Sequence, residues 1–128
     1  MRKSEYQEWF RKADQDEISM KALVAKKQGH PNTVCFLGQQ MSEKYLKGLL
    51  VFHGEDLLKI HDLLKLETLL LKLAPDIEKL HKYLVFLNGF YTGTRYPGDC
   101  PDFDWKVAQD AFDKAEKIKL FVLSKIHG

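Results

Sequence analysis

The segment Arg95-Tyr96-Pro97 gathers much of the chemistry this chain could do outside a helix. Only Arg2, Arg11 and Arg95 are arginines, against seventeen lysines, so an arginine between a glycine-bearing turn and a proline is not there for bulk charge. Its planar fork of five donors suits a phosphate or carboxylate better than an ammonium does. Tyr96 precedes Pro97, which biases it toward an extended conformation and keeps Arg95-Tyr96 outside any helix, on a loop of the kind that carries binding residues. The functional reading is phosphate capture by Arg95 with base stacking by Tyr96. In the structural reading Arg95 satisfies Asp16 or the carbonyls at a helix end, and Tyr96 closes the core. A cleft between two copies would accommodate both.

Three further sets carry polar chemistry. Gln40, Glu43, Lys44 and Lys47 recur at i, i+3, i+4 and i+7, so they line one helix face. Such a stripe is ordinarily solvated, although an amide, a carboxylate and two ammoniums could also bind a phosphate or pair across a two-fold axis. His61-Asp62 could be an imidazole whose tautomer a carboxylate fixes, but capping of the following helix is the favoured role. Glu78-Lys79-Leu80-His81 has the Glu-x-x-His spacing of a di-iron bundle, which needs two copies of the motif and two more glutamates; with a single copy, a surface accident is expected. Cys35, Cys100 and the five histidines lack paired spacing for structural zinc. No Walker loop or Gly-x-Gly-x-x-Gly occurs. Neither a metal nor another cofactor is expected.

The 128 residues suit one domain over 1–128, able to bury a core without metal or disulfide support. A net charge of +2 with 30% charged residues describes a mixed surface and neither supports nor excludes RNA. Cys35 lies in a helical pattern among apolar residues, where a reduced, buried thiol is expected, and a reducing cytoplasm is the natural compartment. The N-terminus has no apolar core of a signal peptide, and the apolar runs are too short to span a bilayer, so no membrane association is expected.

The elements that must position these residues read as five helices and no strand, an all-α class. The first, about 4 to 28, carries Tyr6, Trp9, Phe10, Ala13, Met20, Leu23 and Val24 at helical spacing and stops at Gly29-His30-Pro31. Asp16 falls on this stripe and needs a partner, Arg95 or Lys44, because an unpaired buried charge is costly. The second runs from Pro31 to about His53-Gly54. Its Gly38 and Gly48 each lower helix propensity by about 1 kcal/mol relative to alanine, which predicts compensation by close helix approach or a dimer contact. A short leucine-rich helix follows Asp62 and ends at Ala74-Pro75. A fourth segment opens at Asp76 and leads to the loop 92–103, and a fifth runs from about Asp104 to Ile126. Short connections between helices favour an up-and-down four- or five-helix bundle.

Taken in order, Trp9, Ala13 and Asp16, then Gln40, Glu43, Lys44 and Lys47, then His61-Asp62-Leu63 with Leu66, and finally Arg95-Tyr96-Pro97 resemble the HEPN domain over nearly the whole chain. The resemblance implies a helical bundle, a homodimer with the motif residues near a cleft, and a minimal nucleotidyltransferase as partner. It also implies association with nucleotide binding or RNA cleavage. The nuclease branch has an Arg, a polar residue and then a histidine after a total gap of four to six positions. Here those positions after Arg95 are Cys100, Pro101 and Asp102, and neither Arg2 nor Arg11 has a histidine at that distance. A metal-independent ribonuclease needs an acid or base beside a cation, so cleavage is not expected. The expected function is binding of a nucleotide or RNA phosphate beside a nucleotidyltransferase in a toxin–antitoxin-like pair. The alternatives are a ribonuclease whose base is His61 or His81, and a non-catalytic dimeric interaction module.

Overall fold

Proline and glycine set the boundaries. In the computed structural model, which describes residues 4–55, 59–91, 98 and 100–127, α1 (Ser4–Lys26) ends as Lys27 and Gly29 take positive φ of 49° and 75°. His30 then caps α2 (Pro31–Phe52), its ring nitrogen accepting from Asn32 N at 3.0 Å, with Pro31 in the first position, where a missing N–H costs nothing. Asp62 caps α3 (Leu63–Leu70) by accepting from Leu64 N at 2.9 Å. After a 3₁₀ helix (Pro75–Leu80) come α4 (His81–Asn88) and α5 (Trp105–His127). Asp104 accepts from Val107 N at 3.0 Å and closes the start of α5.

Among the described residues there is no strand, and the chain is an all-α helical bundle. α2 is its axis: α1 and α5 pack along it, and the α3–α4 pair covers the remaining flank. Met20, Met41, Leu46, Leu49, Leu66, Leu84, Leu87 and Ile118 are fully buried between them. The glycine expectation resolves to close helix approach. A Cβ on Gly38 would lie 3.4 Å from the Ala111 carbonyl oxygen, and one on Gly48 only 2.5 Å from the Phe10 ring. Small residues at Ala108, Ala111 and Ala115 let α5 lie equally close, and all three are fully buried.

Two local expectations change. α3 stops at Leu70 rather than at Ala74-Pro75, and Leu73 N and Ala74 N both turn back onto the Leu70 carbonyl. Pro75 has no N–H to continue a helix and disfavours a helical Ala74; Ala74 sits at φ −146°, ψ 78°, and the chain restarts as 3₁₀. On α1 the fully buried acid is Glu17, 3% exposed, and Asp16 lies on the flank with its side chain 14% exposed. Glu17 is four residues after Ala13 and three before Met20, which is the true seam spacing. Among the described residues, no helix is long and apolar enough to cross a membrane.

Candidate functional site

Glu43 organises the polar face of α2. Its residue is 5% exposed, and three donors meet its carboxylate: Gln39 Nε2 at 3.2 Å, Lys47 Nζ at 2.9 Å and His61 Nδ1 at 3.1 Å. Gln39 and Lys47 stand one turn before and one turn after it, so helix geometry alone delivers two of the three. The third arrives from the connector ahead of α3. Gln39 Nε2 also donates to the His61 carbonyl at 3.2 Å, and Gln40 Nε2 donates to Gln39 Oε1 at 2.6 Å. The stripe expected to be solvated is therefore a buried network at Glu43 and Lys47. The physical reason is that α3 and its cap lie against this face, so the polar groups must satisfy one another.

Two aromatic rings bound the network. Lys47 Nζ lies 5.5 Å from the centre of the Trp9 ring. At the other end Tyr91 stacks on His61, with ring centres 5.2 Å apart and planes within 10°. Tyr91 stands four residues before Arg95 in the sequence. Arg95 and Tyr96 themselves lie outside the described residues, so the readings placed on them stay where the sequence left them.

Asp62 is not the partner of His61. Its Oδ1 accepts from Leu64 N and from Asn88 Nδ2 at 3.1 Å, while Asn88 Oδ1 accepts from Leu63 N at 2.9 Å. The favoured reading, Asp62 as a cap, matches this geometry, and Asn88 extends it into a clasp between the start of α3 and the end of α4. His61 takes Glu43 instead, eighteen residues away. Because an ionised carboxylate only accepts, Nδ1 carries the proton and Nε2 is left as the free polar atom of a half-exposed ring. A histidine held this way can donate to a phosphate when doubly protonated or take a proton when neutral.

Lys44 leaves this group. It pairs with Asp16 at 2.7 Å, which gives that carboxylate one of its two expected partners and joins α1 to α2. Of the residues singled out from the sequence, the fold thus brings Gln40, Glu43, Lys47 and His61 together, sets Asp62 beside them as the cap, and commits Lys44 elsewhere. Gln39, Asn88 and Tyr91 join the centre without having been singled out from the sequence. Gln39 could have been found as the residue one turn before Glu43.

The Glu78-x-x-His81 pair does not form; His81 Nδ1 meets Glu67 at 2.8 Å. Among the described residues, no group of three or more His, Cys, Asp or Glu is placed to hold a metal ion. Burial pushes the Cys35 thiol up to about 11, with Cys100 adding to the shift, so this buried free cysteine is an inert thiol.

A second buried acid centre lies between α1 and α5. Glu17 accepts from Lys119 Nζ at 2.8 and 3.0 Å, with Lys21 at 3.9 Å. Glu116 lies beside Glu17, and its Oε1 is sealed from water without a hydrogen-bond partner. Two carboxyls can share a hydrogen bond only if one holds a proton. Burial and the neighbouring Glu17 push Glu116 up to about 7. Burial also acts to raise Glu17, but hydrogen bonds from Glu116 and Lys119 outweigh it, and Glu17 ends below the usual carboxylate range.

Comparison with known proteins agrees with this architecture. The chain is similar to the crystal structure of TT1696 from Thermus thermophilus, with a TM-score of 0.78, 29% identity, and 94% of this chain and 97% of that one covered. It is also similar to the crystal structure of ST0689, an archaeal HEPN homologue, at a TM-score of 0.74, 26% identity and the same coverage. No protein of curated function matches. The HEPN domain model matches residues 6–126, which include all five helices but for a few terminal residues, and so the chain belongs to the HEPN domain family.

Proposed function

We propose that this HEPN protein binds a nucleotide or the phosphate backbone of RNA at the Glu43 centre. The observation that carries the reading is the half-exposed His61, fixed through Nδ1 by a buried carboxylate and stacked on Tyr91. A polar atom held by a buried network costs little further ordering when a ligand arrives. Arg95 supplies the guanidinium for phosphate, Tyr96 supports a base, and Lys47 adds positive potential behind His61. Gln40 and Glu43 hold the network, Asp62 sets the start of α3, and Lys44 contributes at longer range from its pairing with Asp16. The family resemblance supports a single domain over 1–128, a homodimer, a minimal nucleotidyltransferase as partner in a toxin–antitoxin-like pair, and a cytoplasmic location.

Calorimetric titration of the wild type and of Arg95→Ala with ATP tests this reading. Saturable heat that disappears in the variant supports it. No heat in either protein overturns it in favour of an interaction module, for which Arg95→Ala should weaken the dimer.

The Glu43–His61 pair also favours a second reading, a metal-independent ribonuclease with His61 as base in place of the missing loop histidine. A carboxylate that orients an imidazole is the arrangement general-base catalysis requires. His61→Ala would then abolish RNA cleavage without unfolding the protein, and unchanged cleavage by that variant would exclude His61.

A further inference from the structure

Among the described residues, Glu67 is a buried carboxylate that neither acid centre uses. It lies on the inner face of α3 at 6% exposure, and its two oxygens meet His81 Nδ1 at 2.8 and 3.1 Å. Removing a carboxylate from water is expensive, and a leucine would fill the same inner position without that cost. What the glutamate adds is an oriented histidine. The carboxylate can only accept, so Nδ1 carries the proton and Nε2 is left on the far side of the ring from Glu67. His81 is 55% exposed and opens onto a cavity of about 760 Å³.

The other walls of that cavity carry two ammoniums, one carboxylate, a hydroxyl and an apolar flank. Lys79 and Lys82 contribute two ammoniums that form no ion pair within the described residues. Asp76, which feels the Lys79 charge, is already bonded to Lys125 at 2.6 Å. Thr68 has given its hydroxyl proton to the Leu64 carbonyl at 3.0 Å, so its oxygen faces a ligand as an acceptor. Leu71, 39% exposed, forms an apolar flank, and Glu78 is the second carboxylate of the lining. A ligand must bring anionic oxygens for the two ammoniums. It must also bring a group that can either donate to or accept from Nε2 and donate to Thr68. A phosphate, whose second proton titrates near pH 6 in a monoester and about one unit higher in orthophosphate, does all of this, whereas sulfate has no proton to give near neutrality.

We propose that the cavity between α3 and the start of α4 is a phosphate site, for orthophosphate or a phosphate monoester, separate from the Glu43 centre. His81 Nε2 and the Lys79 and Lys82 ammoniums hold the phosphoryl group, and Leu71 covers the organic part of an ester.

The test is titration of the full chain with inorganic phosphate, phenyl phosphate and sulfate at constant ionic strength, followed through the His81 imidazole resonances by NMR. The expected result is a saturable shift with both phosphates and none with sulfate, weakened about tenfold in Lys82→Gln, which removes a charge-assisted bond from an exposed position. Phenyl phosphate binding more tightly identifies an ester as the occupant; equal affinities identify orthophosphate. His61→Ala should leave the titration unchanged, which separates this site from the one proposed above. An unmoved His81, an equal response to sulfate, a titration indifferent to Lys82→Gln, or one lost in His61→Ala would each overturn the proposal and leave Glu67–His81 as a staple between α3 and α4.

Discussion

Glu43 and Glu17 are almost equally buried, at 5% and 3% exposure, yet the fold treats them in opposite ways. Glu43 faces two donors from its own face of α2 and a third, His61, from the connector ahead of α3, and donors and carboxylate balance without a second acid. Glu17 faces Lys119 together with another carboxyl, Glu116, and the pair is satisfied only when a proton stays between them. One centre is built from one carboxylate and several donors. The other contains a proton that neutral pH begins to remove. The comparison separates a rigid, preorganised face from a helix contact whose strength follows pH.

The substitution that should disturb this contrast most is Glu43→Leu. It leaves Lys47, whose side chain is 6% exposed, without its carboxylate, and stranding a buried charge costs about 3–5 kcal/mol. Chemical denaturation should show this loss, and Glu43→Gln should fall short of it because an amide oxygen can still accept.

Glu116→Gln tests the other side. The folded Glu116 holds its proton up to about 7 against an ordinary 4.5. A raised carboxyl contributes stability that is complete below about 4.5 and is lost as pH rises through about 7. Glu17, shifted down, works in the other direction and loses its contribution only in acid. The glutamine keeps a donor for Glu17 and carries no charge. It should therefore gain about 1–3 kcal/mol over the wild type at pH 8.5, with little difference at pH 5. Denaturation curves at the two pH values measure this, and an equal effect at both would mean that the shared proton is absent.

Smaller effects probe what surrounds the Glu43 centre. Asp62→Ala removes the cap of α3 and its bond from Asn88; a cap is worth about 1 kcal/mol. Thermal melting should fall by a few degrees while ATP heat persists, because the residue positions the centre without being its charge. Lys44→Gln breaks a partly buried ion pair with Asp16 and should cost about 1 kcal/mol, the upper end for pairs not wholly removed from water, visible as a shift in the denaturation midpoint. A large loss there would mean that Asp16 is as dependent on its partner as Glu43 is on its donors.

Particular residues show where sequence reading succeeded. Gly29-His30-Pro31, Asp62 and the Asp104 region marked helix ends through local chemistry that needs no tertiary partner. Gly38 and Gly48 predicted close approach because a costly residue inside a helix needs a compensating contact. Reading failed where one residue of phase mattered: Asp16 and Glu17 are neighbours, yet only Glu17 faces the seam. At Asp62 the favoured role, a helix cap, is the one the fold uses, but the partner of His61, Glu43 from eighteen residues away, was not legible. His81 likewise meets a carboxylate the spacing did not point to, Glu67 on α3.

The all-α class, the order and approximate ends of the helices, and the polar stripe on α2 were thus legible in the chain alone. Periodicity and capping are local, and they act through the nearest four residues. Packing of the helices settled the rest: which carboxylate each histidine meets, that Glu43 and Lys47 are buried rather than solvated, and that Glu17 and Glu116 meet between α1 and α5. Those outcomes depend on distances between helices and on exclusion of water, and neither quantity is written into the spacing of residues along the chain.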